Sequence, residues 1–60
     1  MNQVNIRRIE LINGEKILSA EVNRTIDKNQ LERFRKLIKF NQSKKLNKKI
    51  DVMFTYSEVY

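Results

Sequence analysis

The fold is decided by residues 9–22, which read IELINGEKILSAEV. Asn13 and Gly14, the only glycine of the chain, lie there between two runs rich in isoleucine and leucine. An Asn-Gly pair in this setting is typical of a β-hairpin, because both residues tolerate a positive φ. The sequence therefore predicts a hairpin whose strands cover residues 4–12 and 16–25.

The length of the hairpin connection sets the register between its strands. A connection from Asn13 to Lys16 places Ile12 opposite Ile17, and every second residue then shares a face of the sheet. The core face that this register predicts is formed by Ile9, Leu11, Leu18, Ala20 and Val22.

Two earlier apolar residues, Val4 and Ile6, are out of phase with that face. A β-bulge at Arg7 and Arg8 would add a residue to the strand and return both side chains to the core face. Without a bulge, Val4 and Ile6 cover the opposite face of the sheet. The sequence leaves these two arrangements open.

A helix is predicted to follow the hairpin. Asp27 is a good N-cap residue, and Gln30 three positions later completes a capping box. Ile26 before the cap and Leu31 at the fourth helical position match a hydrophobic staple. The apolar stripe that would pack on the sheet consists of Leu31, Phe34, Leu37 and Ile38.

The chain after this stripe is predicted to form a loop and a third strand. Phe40 lies at the edge of the stripe or beyond it, and the helix is predicted to end near residues 41–43, because Leu46 falls out of phase. Residues 42–49, QSKKLNKK, are predicted to be a polar loop. Apolar and polar residues then alternate along residues 50–60, which is typical of a half-buried strand.

The predicted architecture is therefore α+β with the order β-β-α-β, in which one helix covers one face of a three-stranded, mainly antiparallel sheet. A right-handed crossover would place the third strand beside the first, in the spatial order 2-1-3, and the order 1-2-3 is the alternative. Residues 1–60 are expected to form a single small basic domain. The other sheet face, with Ile12, Ile17 and Met53, is either open to solvent or the contact of a homodimer.

Composition excludes most kinds of chemistry. The chain has neither cysteine nor histidine, so disulfides, thiolates, the commonest general base and the commonest zinc ligands are missing. Glu10 and Glu21, which the hairpin brings together, are explained by ion pairs with Arg7 and Arg8. One glycine cannot build a phosphate-binding loop. We expect no enzymatic activity, no cofactor and no metal site.

Composition also bears on location and origin. No apolar run approaches the roughly 20 residues that span a bilayer. The first ten residues, MNQVNIRRIE, lack the basic-then-apolar order of a signal peptide, which favours a cytoplasmic protein. Asparagine, lysine and isoleucine, whose codons are AT-rich, make up 22 of the 60 residues. This bias indicates a low-GC bacterial genome, or a phage or plasmid living in such a host.

Positive charge is concentrated in one segment. Residues 28–49 carry nine basic residues and a single acidic one, Glu32, in a chain of net charge +6. Such a segment favours binding to the phosphate backbone of DNA or RNA. Phe40 is its only aromatic residue, so duplex or structured RNA is favoured over base stacking. The candidate nucleic-acid-binding residues are Arg33, Arg35, Lys36, Lys39, Lys44, Lys45, Lys48 and Lys49.

Three other interpretations fit the same segment. The lysines could be a solvated surface that keeps a small domain soluble. A phage- or plasmid-type effector or inhibitor could dock on an acidic host protein, either through these cations or through an edge strand at residues 57–60; such binding would depend on Phe40, Met53 or Tyr60. A basic helix on anionic lipid is the third, and it conflicts with the need of the sheet for the apolar stripe.

Overall fold

The computed structural model describes residues 2–59, which form three strands and one helix. The sheet order is β2-β1-β3 with both pairings antiparallel, which confirms the α+β class, the β-β-α-β order and the spatial order 2-1-3. The elements are β1 (Gln3–Asn13), β2 (Lys16–Asp27), a 3-10 turn (Lys28–Gln30), α1 (Leu31–Leu46) and β3 (Asp51–Val59).

The hairpin has the predicted register with a shorter turn. Ile12 pairs with Ile17 as expected, but Asn13 also belongs to the ladder and pairs with Lys16. Gly14, with φ at +63°, opens the remaining two-residue turn, and Asn13 does not adopt a positive φ. A glycine at the first central position is typical of a type II′ turn, whose twist matches that of the strands.

Of the two arrangements that the sequence left open, β1 adopts the one with a bulge. The pairing of β1 shifts between Ile6 and Arg8 against both neighbours. Between Ile9 and Ile6, β1 advances three residues while its partners advance two in β3 and four in β2, so the sheet bends at Arg7. The bulge brings Val4 and Ile6 onto the helix-facing side, where both are fully buried.

The core lies between α1 and the β1–β3 half of the sheet. Its fully buried side chains are Val4 and Ile6 of β1, Val52 of β3 and Ile50 just before β3. Phe34 of α1 stacks at a tilt on Phe54 of β3, with 5.6 Å between ring centroids. α1 thus packs mainly against β3.

The predicted core face is wrong at the outer strand of the hairpin. Leu18 is 63% exposed and Ala20 is also exposed, whereas Ile9, Leu11 and Val22 are half-buried. The reason is the position of α1 over β3, which leaves the middle of β2 uncovered. A single 16-residue helix, about 10 Å wide, does not cover three strands spaced about 4.8 Å apart.

The start of the helical segment is capped as predicted. The Asp27 carboxylate accepts a hydrogen bond of 2.8 Å from the N–H of Asn29, at the beginning of the 3-10 turn. The reciprocal half of the capping box is missing within residues 2–59. Gln30 occupies the N-cap position of α1 itself, and its side chain makes no capping hydrogen bond there.

The end of α1 corrects the sequence prediction. The helix continues to Leu46, so the loop predicted for residues 42–49 is wrong for residues 42–46. Lys44 and Lys45 in the last turn interact favourably with the helix dipole. Asn47, with φ 53° and ψ 41°, then ends the helix in the left-handed conformation.

A short connection leads from α1 to β3. The N–H of Lys48 donates to the carbonyl of Ser43 at 3.2 Å, a bond typical of a Schellman end. The hydroxyl of Ser43 accepts from the N–H of Ile50 at 3.1 Å. Ser43 therefore fixes the turn that delivers Ile50 into the core.

Candidate nucleic-acid interface

The rotation of α1 decides which side chains face solvent. Leu31, Phe34 and Ile38 are half-buried against the sheet, as the stripe predicts. Leu37 is 55% exposed and Phe40 is 65% exposed. The prediction of Leu37 as a packed residue is therefore wrong, because the helix turns its opposite flank toward β3.

Two of the eight candidate cations occupy that flank and are paired within the molecule. Arg35 binds the carboxylate of Glu32, with 3.2 Å between Nε and Oε2, and also donates to the carbonyl of Val52 at 3.4 Å. The hydrogen bond lowers the pKa of Glu32 and raises the pKa of Arg35. Lys39 lies 3.2 Å from a carboxylate oxygen of Asp51. These charges serve the packing of α1 on β3.

The other six candidate cations are exposed, and none has an ion-pair partner within residues 2–59. Together they form what we call the basic surface. It consists of Arg33, Lys36, Lys44, Lys45, Lys48 and Lys49.

Phe40 lies at the centre of the helical part of the basic surface. Lys36 and Lys44 are one helical turn before and after it, and Arg33 is two turns before it, so all four share the outward face of α1. At 1.5 Å per residue, Lys36 and Lys44 are about 12 Å apart along the helix. The surface therefore combines cations spread over about three turns with one exposed aromatic ring.

The last three cations cluster at the end of α1. Lys45 is in the final helical turn, and Lys48 and Lys49 follow the left-handed Asn47. Because the helix is longer than predicted, Lys44 and Lys45 have helical positions instead of loop positions. The cations of the connection therefore follow directly after the end of the helix.

The sheet face opposite α1 shows the expected ion pair at the bulge. Arg8 lies 3.5 Å from Glu21 on β2, whereas Glu10 pairs across the ladders with Ser19 and Met53 and has no ion-pair partner in the described part of the chain. Met53, on this face, is 55% exposed. No group of three potential metal-ligating side chains was found among residues 2–59.

Sequence reasoning missed the internal pairing of Arg35 and Lys39 and the central place of Phe40. The first had a local signal in the spacing of Glu32 and Arg35, which suits a helical ion pair. Tyr60, a candidate contact for a protein partner, lies outside the described residues.

Comparisons of the chain with models of protein families, with curated proteins and with solved structures found no match. No helix within residues 2–59 combines the length and the apolar character needed to cross a membrane.

Proposed function

We propose that this chain is a non-enzymatic nucleic-acid-binding module that contacts phosphates through the basic surface. One observation carries the proposal: six exposed cations share the outward side of α1 and its end, and no acidic group within residues 2–59 pairs with them. Cations in this state neutralise phosphates and release condensed counterions. The setting proposed is the cytoplasm, with no cofactor.

The exposed ring of Phe40 extends this proposal to the form of the nucleic acid. Aromatic rings surrounded by cations stack on bases that are not held in a duplex. The sequence favoured duplex or structured RNA, because Phe40 is the only aromatic residue in the basic segment. Its 65% exposure at the centre of the basic surface makes single strands, and unpaired loops of structured RNA, the better substrate for this geometry.

The test is fluorescence anisotropy of labelled single-stranded DNA, duplex DNA and structured RNA, from about 50 to 200 mM salt. Six phosphate contacts give a log–log salt slope of about −4 for a single strand and about −5 for a duplex. No binding to any of the three at the lowest salt would refute the proposal.

A matched pair of variants locates the contact. Arg33→Gln with Lys36→Gln removes two charges from the basic surface, and Arg7→Gln with Lys16→Gln removes two exposed charges elsewhere. The first pair is expected to reduce the salt slope by about 2, and the second is expected to leave it unchanged. Equal losses in both would mean that net charge, and not this surface, holds the nucleic acid.

A host protein with an acidic surface is the second candidate partner, of the kind bound by phage- or plasmid-encoded inhibitors. The observation that favours it is the exposed apolar pair Leu37 and Phe40, bordered by cations. Aromatic residues that fill a pocket within a charged rim are typical hot spots of protein interfaces. Under this alternative, binding would survive at salt concentrations that release nucleic acid.

A further inference from the structure

The two edge strands of the sheet, β2 and β3, differ in how far they are covered by the rest of the molecule. Along β3, the guanidinium of Arg35 donates to the carbonyl of Val52, and Lys39 pairs with Asp51, so α1 covers the beginning of this edge. Charged side chains placed along an edge strand prevent it from pairing with another chain. The edge at β3 is thus protected from within.

The edge at β2 is not covered by α1 in its first half, and between Lys16 and Glu21 it carries no charged side chain. β2 is 12 residues long, its only neighbour within residues 2–59 is β1, and the chain has no proline to interrupt it. Ile17 is 58% exposed on one face and Leu18 is 63% exposed on the other. A long edge strand with exposed apolar side chains on both faces is a site for pairing with a further strand.

The turn geometry shows which backbone groups are available. In a two-residue hairpin, the residues that flank the turn, Asn13 and Lys16, exchange hydrogen bonds with each other. Alternate residues of β2 then direct their N–H and C=O groups away from β1. These outward residues are Ile17, Ser19 and Glu21.

We propose that β2 pairs antiparallel with β2 of a second copy of this chain, about a two-fold axis at Ala20. This register sets Ala20 opposite Ala20 of the second copy and Leu18 opposite its Val22, which matches apolar side chains on the helix-facing side. Ser19 is then opposite Glu21 of the second copy. The product is a continuous six-stranded sheet.

Charge identifies a second copy as the occupant. β2 carries two bases and two acids and is neutral in a chain of net charge +6, so two copies can approach along it without the repulsion that opposes contact between basic surfaces. The one like-charge pair of this register, Lys16 with Arg24 of the second copy, is relieved because Arg24 lies over the Phe34 ring at 4.9 Å. A strongly charged partner would find no complementary charge along this strand.

The absence of cysteine makes the register directly testable. Opposed residues of a non-hydrogen-bonded pair have Cα atoms about 4.5 Å apart, which suits a disulfide. Under mild oxidation, Ala20→Cys is expected to form a covalent dimer at least about tenfold faster than Met53→Cys, a control that is also exposed and lies on the opposite sheet face. Leu18→Cys and Val22→Cys are expected to be slower than Ala20→Cys.

Sedimentation of the unmodified chain gives the second measurement. At about 100 µM, a concentration that favours weak association, the mass is expected to be twice the 7.3 kDa of one chain. Ala20→Lys, which places like charges at the axis, should return it to one chain, and Met53→Lys should not. A single-chain mass for the unmodified protein, or equal cross-linking of the Ala20 and Met53 variants, would overturn the proposal.

Discussion

The neighbours of Phe40 indicate that its exposed ring has a role in binding. An isolated exposed apolar residue is ordinary in a small protein. Phe40 is 65% exposed, however, and has cations one helical turn to either side. Its ring contributes little to the fold, so its effect on binding can be measured with the fold intact.

Replacement of Phe40 by alanine is therefore expected to separate stacking from charge. Loss of one stacked base costs about 1–3 kcal/mol, or roughly 5- to 150-fold in affinity for single strands. Duplex binding should change less than about twofold, because paired bases are not offered to the ring. Met53→Ala, at an exposed site on the other sheet face, is the control in the same anisotropy assay. Equal weakening of single-strand and duplex binding by Phe40→Ala would exclude stacking.

Glu32 gives the fold a pH dependence. Because the hydrogen bond from Arg35 lowers the pKa of Glu32 in the folded state, this carboxylate stabilises the fold above its unfolded pKa. That stabilisation is lost as the pH falls through the folded pKa, which lies below the usual value for a glutamate. Glu32→Gln should therefore lower the melting temperature slightly at pH 7.

The difference between the unmodified chain and Glu32→Gln should shrink as the pH falls and disappear below the folded pKa of Glu32, as measured by thermal unfolding at several pH values. Glu15→Gln is the control, since Glu15 lies in the hairpin turn and has no ion-pair partner in the described chain. A melting-temperature difference for Glu32→Gln that stays constant with pH would show that the stabilisation does not come from the ionised Glu32 carboxylate.

At the scale of elements, local signals predicted the hairpin and located the place where a bulge could lie. Gly14 permits the turn backbone, and the parity break between Ile6 and Ile9 allowed either a bulge in β1 or apolar residues on both faces of the sheet; the structure has the bulge. These features depend on neighbouring residues alone. The hairpin register could therefore be predicted before any tertiary contact was known, whereas the strand order 2-1-3 rested on the handedness of the crossover, with 1-2-3 as the alternative.

The position and end of α1 were not predictable in the same way. Leu37 and Ile38 are both apolar, and only the contacts of Arg35 and Lys39 with β3 decide which of the two packs. These contacts join residues distant in sequence and leave no periodic signal. The end of α1 could not be predicted either, because the polar composition of residues 42–46 is compatible with a loop and with an exposed helix. The helix ends where Asn47 adopts the left-handed conformation. Because Arg35 and Lys39 are the two that face β3, the other six candidate cations have no ion-pair partner within residues 2–59.

The location of the core can be tested by two truncations of similar size. Ile6→Ala removes a side chain that is fully buried under α1, and it should cost about 2–5 kcal/mol in the free energy of unfolding. Leu18→Ala, on the part of β2 that α1 does not cover, should cost less than about 0.5 kcal/mol in the single chain. Urea unfolding at low protein concentration measures both. Equal costs would mean that the core extends across β2, as the sequence alone predicted.

At the scale of the whole molecule, the small core and the net positive charge both limit the stability of the fold. The described chain measures 37 × 18 × 13 Å, one helix on one sheet, and within it the fully buried side chains are those of Val4, Ile6, Ile50 and Val52. So small a core leaves a narrow stability margin. Repulsion within the basic surface is then a sizeable part of the balance, because its cations have no ion-pair partner among residues 2–59.

Added salt should therefore stabilise this protein even without a ligand. Screening shortens the reach of charge repulsion to about 8 Å at 0.15 M, so the melting temperature should rise between low and moderate salt.

Arg33→Gln with Lys36→Gln relieves a like-charge pair one turn apart on α1, and it should stabilise the fold at low salt by about 0.2–0.5 kcal/mol. This advantage should vanish at high salt. Arg7→Gln with Lys16→Gln, which removes the same charge from two separate sites on the hairpin, should stabilise the fold less. A melting temperature that instead falls with salt would mean that the internal ion pairs outweigh the repulsion. The basic surface would then not destabilise the fold.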